Sequence, residues 1–191
     1  VHAIVFIPVL ITSVMPAYYT RGGDKGDTYA CDQQRASKAS PRIAAYGDVD
    51  ELNAVIGLAR AACKDKGIDS ILKRLQDELF VLGADLSVPG GKVPRITVTH
   101  VEGLESDVDA IAKEIGELRH FILPAGTELA ARLHLARAVC RRAERGIVVL
   151  TEKEKIGDQV VPYINRLSSL LFVLARLANK HAKVKDVEWN A

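Results

Sequence analysis

Between residues 41 and 181 apolar side chains return every three or four positions, the spacing that lines one face of an α-helix. Pro41 suits a first helical turn, and Ile43, Tyr46, Val49, Leu52, Ile56, Ala59 and Cys63 follow it, predicting a helix over Pro41 to Lys64. Gly67 is expected to end that helix and Asp69 to cap a second, with Leu72, Leu75, Leu79, Leu82 and Leu86 as one stripe. Val88 to Pro94, rich in glycine and proline, reads as a loop. Thr99 with Glu102 has the form of a capping box ahead of Val101, Leu104, Val108, Ile111, Ile115 and Leu118, so a third helix is expected to reach Arg119. Phe121 to Gly126 is a short apolar connector. A fourth helix should run from Thr127 to about Lys155, Ile156 and Gly157, and Asp158 should cap a fifth carrying Val161, Ile164, Leu167, Leu171, Leu174 and Leu177. No alternating strand pattern competes and no internal repeat is visible. The expected fold is an all-α, up-and-down bundle of five helices with a flexible arm at each end.

At 191 residues the chain is long enough for one domain with a sizeable core. Its 48% apolar and 26% charged residues are those of a folded protein. A net charge of +2 with few aromatic residues argues against a nucleic-acid partner. Three cysteines without CxxC spacing indicate neither a disulfide framework nor a zinc cluster, and fit a reducing, cytoplasmic setting. Val1 to Val14 is almost wholly apolar but lacks a basic leading segment, contains Pro8 and is shorter than the ~20 residues of a membrane helix, so no membrane anchor is expected. Translation is expected to start at Met15. The division expected is an apolar leader over 1–18, one domain over 19–182 and a tail over 183–191.

Candidate chemistry sits in two places. At about 100° per residue, His134, Arg137, Arg141, Glu144 and Arg145 fall within roughly a third of the fourth helix's circumference. Guanidinium groups are fixed forks of donors suited to phosphate or carboxylate, and like charges on adjoining turns repel, so an anion is expected nearby. The other reading is a solvated face with Glu144 as counterion. The second place is Thr20-Arg21-Gly22-Gly23-Asp24-Lys25-Gly26-Asp27-Thr28, where glycines allow backbone N–H groups to turn inward on an anion and Lys25 adds a charge. It is not a Walker A loop, and a plain surface turn has the same composition. Asp50 and Glu51 on the first helix, and Asn165 and Arg166 on the fifth, interrupt apolar stretches and call for partners. His134 lacks a second histidine or carboxylate at metal-binding spacing and is expected to be a buried or capping residue.

Six ordered blocks carry more than any one of them: residues 19–26, 41–53, 121–124, 133–137, 141–145 and 163–168. Together they closely resemble the ATP:cob(I)alamin adenosyltransferases of the propanediol-utilisation type, over Tyr18 to about Asn179. The resemblance implies a homotrimer with active sites between subunits, moving the 5′-deoxyadenosyl group of ATP to the cobalt of reduced cobalamin with release of triphosphate and assistance from Mg2+. It implies ATP contacts from Thr20, Arg21, Gly22, Gly23, Asp24, Lys25, Gly26, Thr28 and Lys38, with Arg141 at the phosphates, Glu144 and Arg145 beside it and Asn165 reaching in from the last helix. Asp50 and Arg137 match a salt bridge across the subunit interface. Phe121 matches an aromatic residue beneath the corrin ring that helps displace the lower ligand of cobalt, so the metal is a substrate's and needs no protein ligand. With Arg141 and Glu144 it completes the expected catalytic set. Gly22 stands where Thr or Asn is usual, Ala125 where a glycine is usual and Ala138 where Thr is common. A reductase and an adenosylcobalamin-dependent acceptor enzyme are the partners such chemistry implies. An ATP-dependent phosphotransferase and a non-catalytic trimeric scaffold are the alternatives, separated by the product (ADP against triphosphate) and by whether reduced cobalamin changes spectrum with ATP.

Overall fold

The computed structural model describes residues 19, 21–29, 35–88 and 90–189. Five helices carry the fold: α1 (Pro41–Ala61), α2 (Lys66–Ser87), α3 (Val98–Ile115), α4 (Glu128–Thr151) and α5 (Val160–His181). A two-stranded antiparallel sheet, β1 (Asp27–Tyr29) and β2 (Arg35–Ser37), precedes them in the order β1-β2, pairing Asp27 with Ser37, Thr28 with Ala36 and Tyr29 with Arg35. The hydrophobic pattern gives no hint of this hairpin, because three residues are too few to display alternation.

Helix α5 is the centre of the bundle, packed on α3, α4 and α2, while α1 packs on α2 and α4. That position explains why α5 is the most apolar helix: it buries Ile164, Leu167, Leu170, Leu171, Leu174 and Leu177 on more than one face. α1 and α4 run antiparallel, since Arg42 at the start of α1 pairs with Glu154 and Arg132 near the start of α4 donates to the carbonyl of Leu58 at 2.8 Å. The leucine stripe of α2 enters the same core, where each fully buried leucine stabilises the fold by about 1.5–3 kcal/mol.

Several helix boundaries differ from expectation. Asp65, not Asp69, caps α2, its side chain accepting from the Ile68 N–H at 3.0 Å. Gly67 lies in the first turn of α2 and Asp69 instead pairs with Arg60 at 2.8 Å. α3 starts after Thr97, whose N–H donates to His100 Nδ1 at 3.1 Å, so Thr99 and Glu102 lie inside the helix. It stops at Ile115 because Gly116 takes a left-handed φ of 77°. α4 begins after Thr127, whose hydroxyl accepts from Ala130 N–H at 3.1 Å, and ends at Thr151. α5 follows Gln159 with no side-chain cap, so Asp158 does not cap it. Capping requires an extended backbone at one position, and neighbouring Asp or Thr residues give the same sequence signature.

Polar groups in the core are tied down. The Tyr163 hydroxyl donates to Glu78 at 2.8 Å, Glu78 pairs with Arg74 at 2.6 Å, and Arg74 reaches Asp107, linking α5, α2 and α3. Asp85, 2% exposed, accepts from Arg95 at 2.6 Å and from the Ile96 N–H at 3.0 Å, fixing the segment before α3 to α2. The segment from Val187 to Trp189 folds back onto the stretch before α4. Trp189 N–H donates to the Phe121 carbonyl and Leu123 N–H to the Val187 carbonyl, both at 2.8 Å, with Ile122 bridged to Glu188. Asn179, 1% exposed, anchors this corner: its amide accepts from Thr127 N–H at 2.9 Å and donates to Ala125 O at 3.3 Å and Asp186 at 3.0 Å.

Candidate functional site

The glycine stretch is a folded arm and not a bare turn. Gly26 has φ +85° and Arg21 φ +57°, so the chain doubles on itself, with Gly26 N–H donating to Gly23 O at 3.2 Å and Asp24 N–H to Arg21 O at 3.3 Å. β2 and the residue after it close the arm: Lys38 N–H donates to Gly26 O at 2.8 Å and Arg35 donates to Gly22 O at 3.0 Å. The Lys38 ammonium donates to Gly23 O at 3.1 Å, and a Cβ on Gly23 would stand 3.0 Å from that nitrogen, so a larger residue there would push the lysine tip aside by a few tenths of an ångström. Lys38 is thereby brought to the loop that the sequence separates from it by fifteen residues. Thr28 is buried in the hairpin, whereas Asp24, Lys25 and Gly26 are exposed. Thr20 lies outside the described residues.

The second group sits where α4 meets α5. Arg141 Nη1 approaches Glu144 Oε2 to 2.5 Å, and the other carboxylate oxygen accepts from Asn165 Nδ2 at 2.8 Å. Glu144 is therefore gripped between a guanidinium on its own helix and an amide on the next. Arg145 donates to the Arg141 carbonyl at 3.0 Å. Arg166, which with Asn165 interrupts the apolar stretch of α5, donates to Asn165 Oδ1 and to Glu105, each at 2.8 Å, carrying the network to α3. Arg141 keeps 48% of its side chain exposed, so it can donate to an incoming anion while Glu144 holds its orientation. Arg142 points elsewhere, pairing with Glu51 and standing 3.9 Å from Asp48 on α1. The site thus gathers Arg141, Glu144, Arg145 and Asn165 within one protomer, and the bonds of Lys38 and Arg35 stay within the arm.

Five buried side-chain polar atoms among the described residues lack a hydrogen-bond partner, and four belong to α4: both ring nitrogens of His134, Nε of Arg137 and Oε2 of Glu144, whose approach to Arg141 is off the line of a hydrogen bond. These residues recur at helical spacing on one stripe. His134 is buried, as expected of it, at 3% exposure. Burial and then the Arg137 charge hold its pKa below the usual histidine range. Arg137 is half-buried and Asp50 exposed, and the two do not pair within the protomer.

Phe121 stands 78% exposed at the corner fixed by Asn179. Trp189 meets it edge-on, ring centroids 6.4 Å apart, and with Leu118, Arg119 and His120 they line a cleft of about 350 Å³. Leu118, Leu123, Val187 and Trp189 are also exposed, so apolar side chains gather at the surface of this corner. Trp189 escaped the sequence reading because its closeness to Phe121 depends on the tail folding back across sixty-odd residues. Among the described residues no cluster of three or more His, Cys, Asp or Glu is placed to hold a metal ion.

The sequence profile of the cobalamin adenosyltransferase family matches residues 18–178. The corrinoid adenosyltransferases of Mycobacterium tuberculosis and Bacillus subtilis are each 42% identical, over 179 and 176 residues, covering 90% of this chain and 91% of theirs. Among solved structures, a phenylalanine-to-alanine variant of the PduO-type ATP:corrinoid adenosyltransferase of Lactobacillus reuteri, complexed with cobalamin and ATP, superposes with a TM-score of 0.86. It is 36% identical and covers 91% of this chain and 99% of its own. An arginine-to-lysine variant of the same enzyme, complexed with ATP, superposes equally well.

Proposed function

This chain belongs to the cobalamin adenosyltransferase family, and from that membership we propose that it transfers the 5′-deoxyadenosyl group of ATP to the cobalt of reduced cobalamin. The electron pair of cob(I)alamin attacks the ribose 5′ carbon, a cobalt–carbon bond forms, the bond from that carbon to the α-phosphate oxygen breaks, and triphosphate departs with its electrons. Negative charge therefore grows on the leaving group, and the protein's task is to meet it with fixed positive charge and N–H donors.

The observation that carries this reading is Arg141, half exposed yet oriented by Glu144, which Asn165 holds in turn. One donor aimed at the developing charge contributes about 3–4 kcal/mol to lowering the barrier. Arg145 supplements it, and the arm's backbone with Thr20, Arg21, Gly22, Gly23, Asp24, Lys25, Gly26, Thr28 and Lys38 cradles the nucleotide. A Mg2+ ion would arrive on the triphosphate itself, since the described residues form no three-ligand cage for one.

The working form in this reading is a homotrimer in which the arm of one copy covers the α4 stripe of the next. The buried His134 nitrogens and Arg137 Nε without hydrogen-bond partners, the exposed Asp50 and the exposed Leu58 and Leu135 on α1 and α4 support a contact there. Asp50 of one copy and Arg137 of another form the salt bridge. Phe121 faces the corrin and disfavours its lower axial ligand, which makes cob(II)alamin easier to reduce; the surrounding apolar surface supports this role. A reductase supplying cob(I)alamin and an enzyme accepting the product are the partners such chemistry calls for. A reducing cytoplasm suits it, and Cys63 and Cys140 are free thiols.

Chemically reduced cobalamin, ATP and Mg2+ mixed anaerobically with the protein test the proposal. The spectrum should convert to that of an alkylcobalamin with stoichiometric triphosphate. ADP as product, or no ATP-dependent change, refutes it.

A further inference from the structure

His134 is enclosed on α4 at 3% exposure, its ring 5.9 Å from that of Phe172 on α5, and neither nitrogen has a partner. Phenylalanine or leucine would fill the same space without surrendering hydration, so an imidazole kept there needs a use. One turn further on, Arg137 Nε is likewise buried and unpartnered. The two groups are complementary neighbours on the helix. An arginine Nε–H can only donate, and a neutral imidazole offers one nitrogen that accepts.

We propose that His134 is a positioning residue, its neutral ring accepting the Nε–H of Arg137 as the guanidinium turns outward to meet the Asp50 carboxylate of a second copy. This rests on the intersubunit salt bridge read above. Holding a guanidinium at Nε leaves both Nη groups as a preorganised fork and removes rotamer freedom that association would otherwise have to freeze. Protonation of the ring abolishes the acceptor and sets a second positive charge beside Arg137. The charged groups facing His134 are Arg137 from α4 and Asp186 from the tail, with uncharged Phe172 from α5. Asp186 acts in the opposite sense, but its oxygens are already engaged by Asn179 and Arg176.

The test measures assembly by sedimentation velocity across protein concentration and pH, with circular dichroism selecting folded variants. Wild-type assembly is expected to hold through pH 6.5 and to weaken only as pH falls below the lowered pKa that burial gives His134 in the free protomer, where the dissociated form takes up a proton and the assembled form keeps the ring neutral. His134→Phe should weaken assembly at pH 8 at least tenfold and have no further effect in an Arg137→Ala background. His134→Gln, which retains an acceptor, should recover to within threefold of wild type at pH 8 and lose its pH dependence; it carries the test alone if the phenylalanine variant does not fold. Wild-type assembly by His134→Phe, or an undiminished effect beside Arg137→Ala, overturns the assignment. Unchanged assembly of Asp50→Asn overturns the salt bridge beneath it, and the coupling of His134 to Arg137 is read separately from that outcome.

Discussion

Arg141→Ala tests the catalytic reading most directly. The guanidinium is half exposed, and its ion pair with Glu144 spans one helical turn at the surface, so the pair contributes under about 1 kcal/mol to folding. Glu144 keeps its bond from Asn165 at 2.8 Å, so the α4–α5 contact survives the substitution. Deletion of a donor aimed at a developing anion, in contrast, costs about 2.7–4 kcal/mol in the transition state, or roughly 10²–10³-fold in turnover. The variant should therefore melt within a few degrees of wild type and assemble normally while losing at least a hundredfold in kcat. Arg141→Lys keeps the charge without the fork and should fall between them. Turnover is followed by the absorbance change of cob(I)alamin under anaerobic conditions, with ATP saturating. Turnover within threefold of wild type in a folded, assembled Arg141→Ala protein refutes the assignment.

Three other outcomes are expected. Asp50→Ala should lose activity through a damaged interface, and the exchange Asp50→Arg with Arg137→Asp should restore part of assembly and activity; no recovery argues against direct pairing. Asn179→Ala strips buried bonds from Thr127, Ala125 and Asp186 at once and should lower stability by about 2–4 kcal/mol in denaturant titration, with Trp189 fluorescence reporting release of the tail. His181 bonds Glu114 and Asp65, each at 2.7 Å, which raises its pKa above the usual value. Its contribution, under about 1 kcal/mol at this exposure, is fully present below pH 6.5 and fades as pH rises through the raised pKa, so His181→Ala should flatten the fall in Tm between about pH 6 and 9.

Much of this was written in the chain before any fold was known. The three-and-four spacing marks every helix, since a 3.6-residue turn is a property of the local backbone. The same period places His134, Arg137, Arg141, Glu144 and Arg145 on one side of α4 without knowledge of what faces them. Helix ends were less legible: Asp65 and Asp69, or Thr97 and Thr99, compete as caps, and only the extended backbone at one of them decides.

Tertiary packing decided the pairings. Glu144 takes Asn165 rather than serving only neighbouring arginines, because α4 lies along α5 and brings together residues twenty-one positions apart. Arg142 turns to Glu51 because α1 passes on the other side. The arm closes through Lys38 over Gly23, and the tail sets Trp189 against Phe121, each across a separation that periodicity does not carry. Hydrophobic spacing tells which face of a helix is buried; which polar group meets which depends on the helices chosen to cover it, and that choice belongs to the whole core.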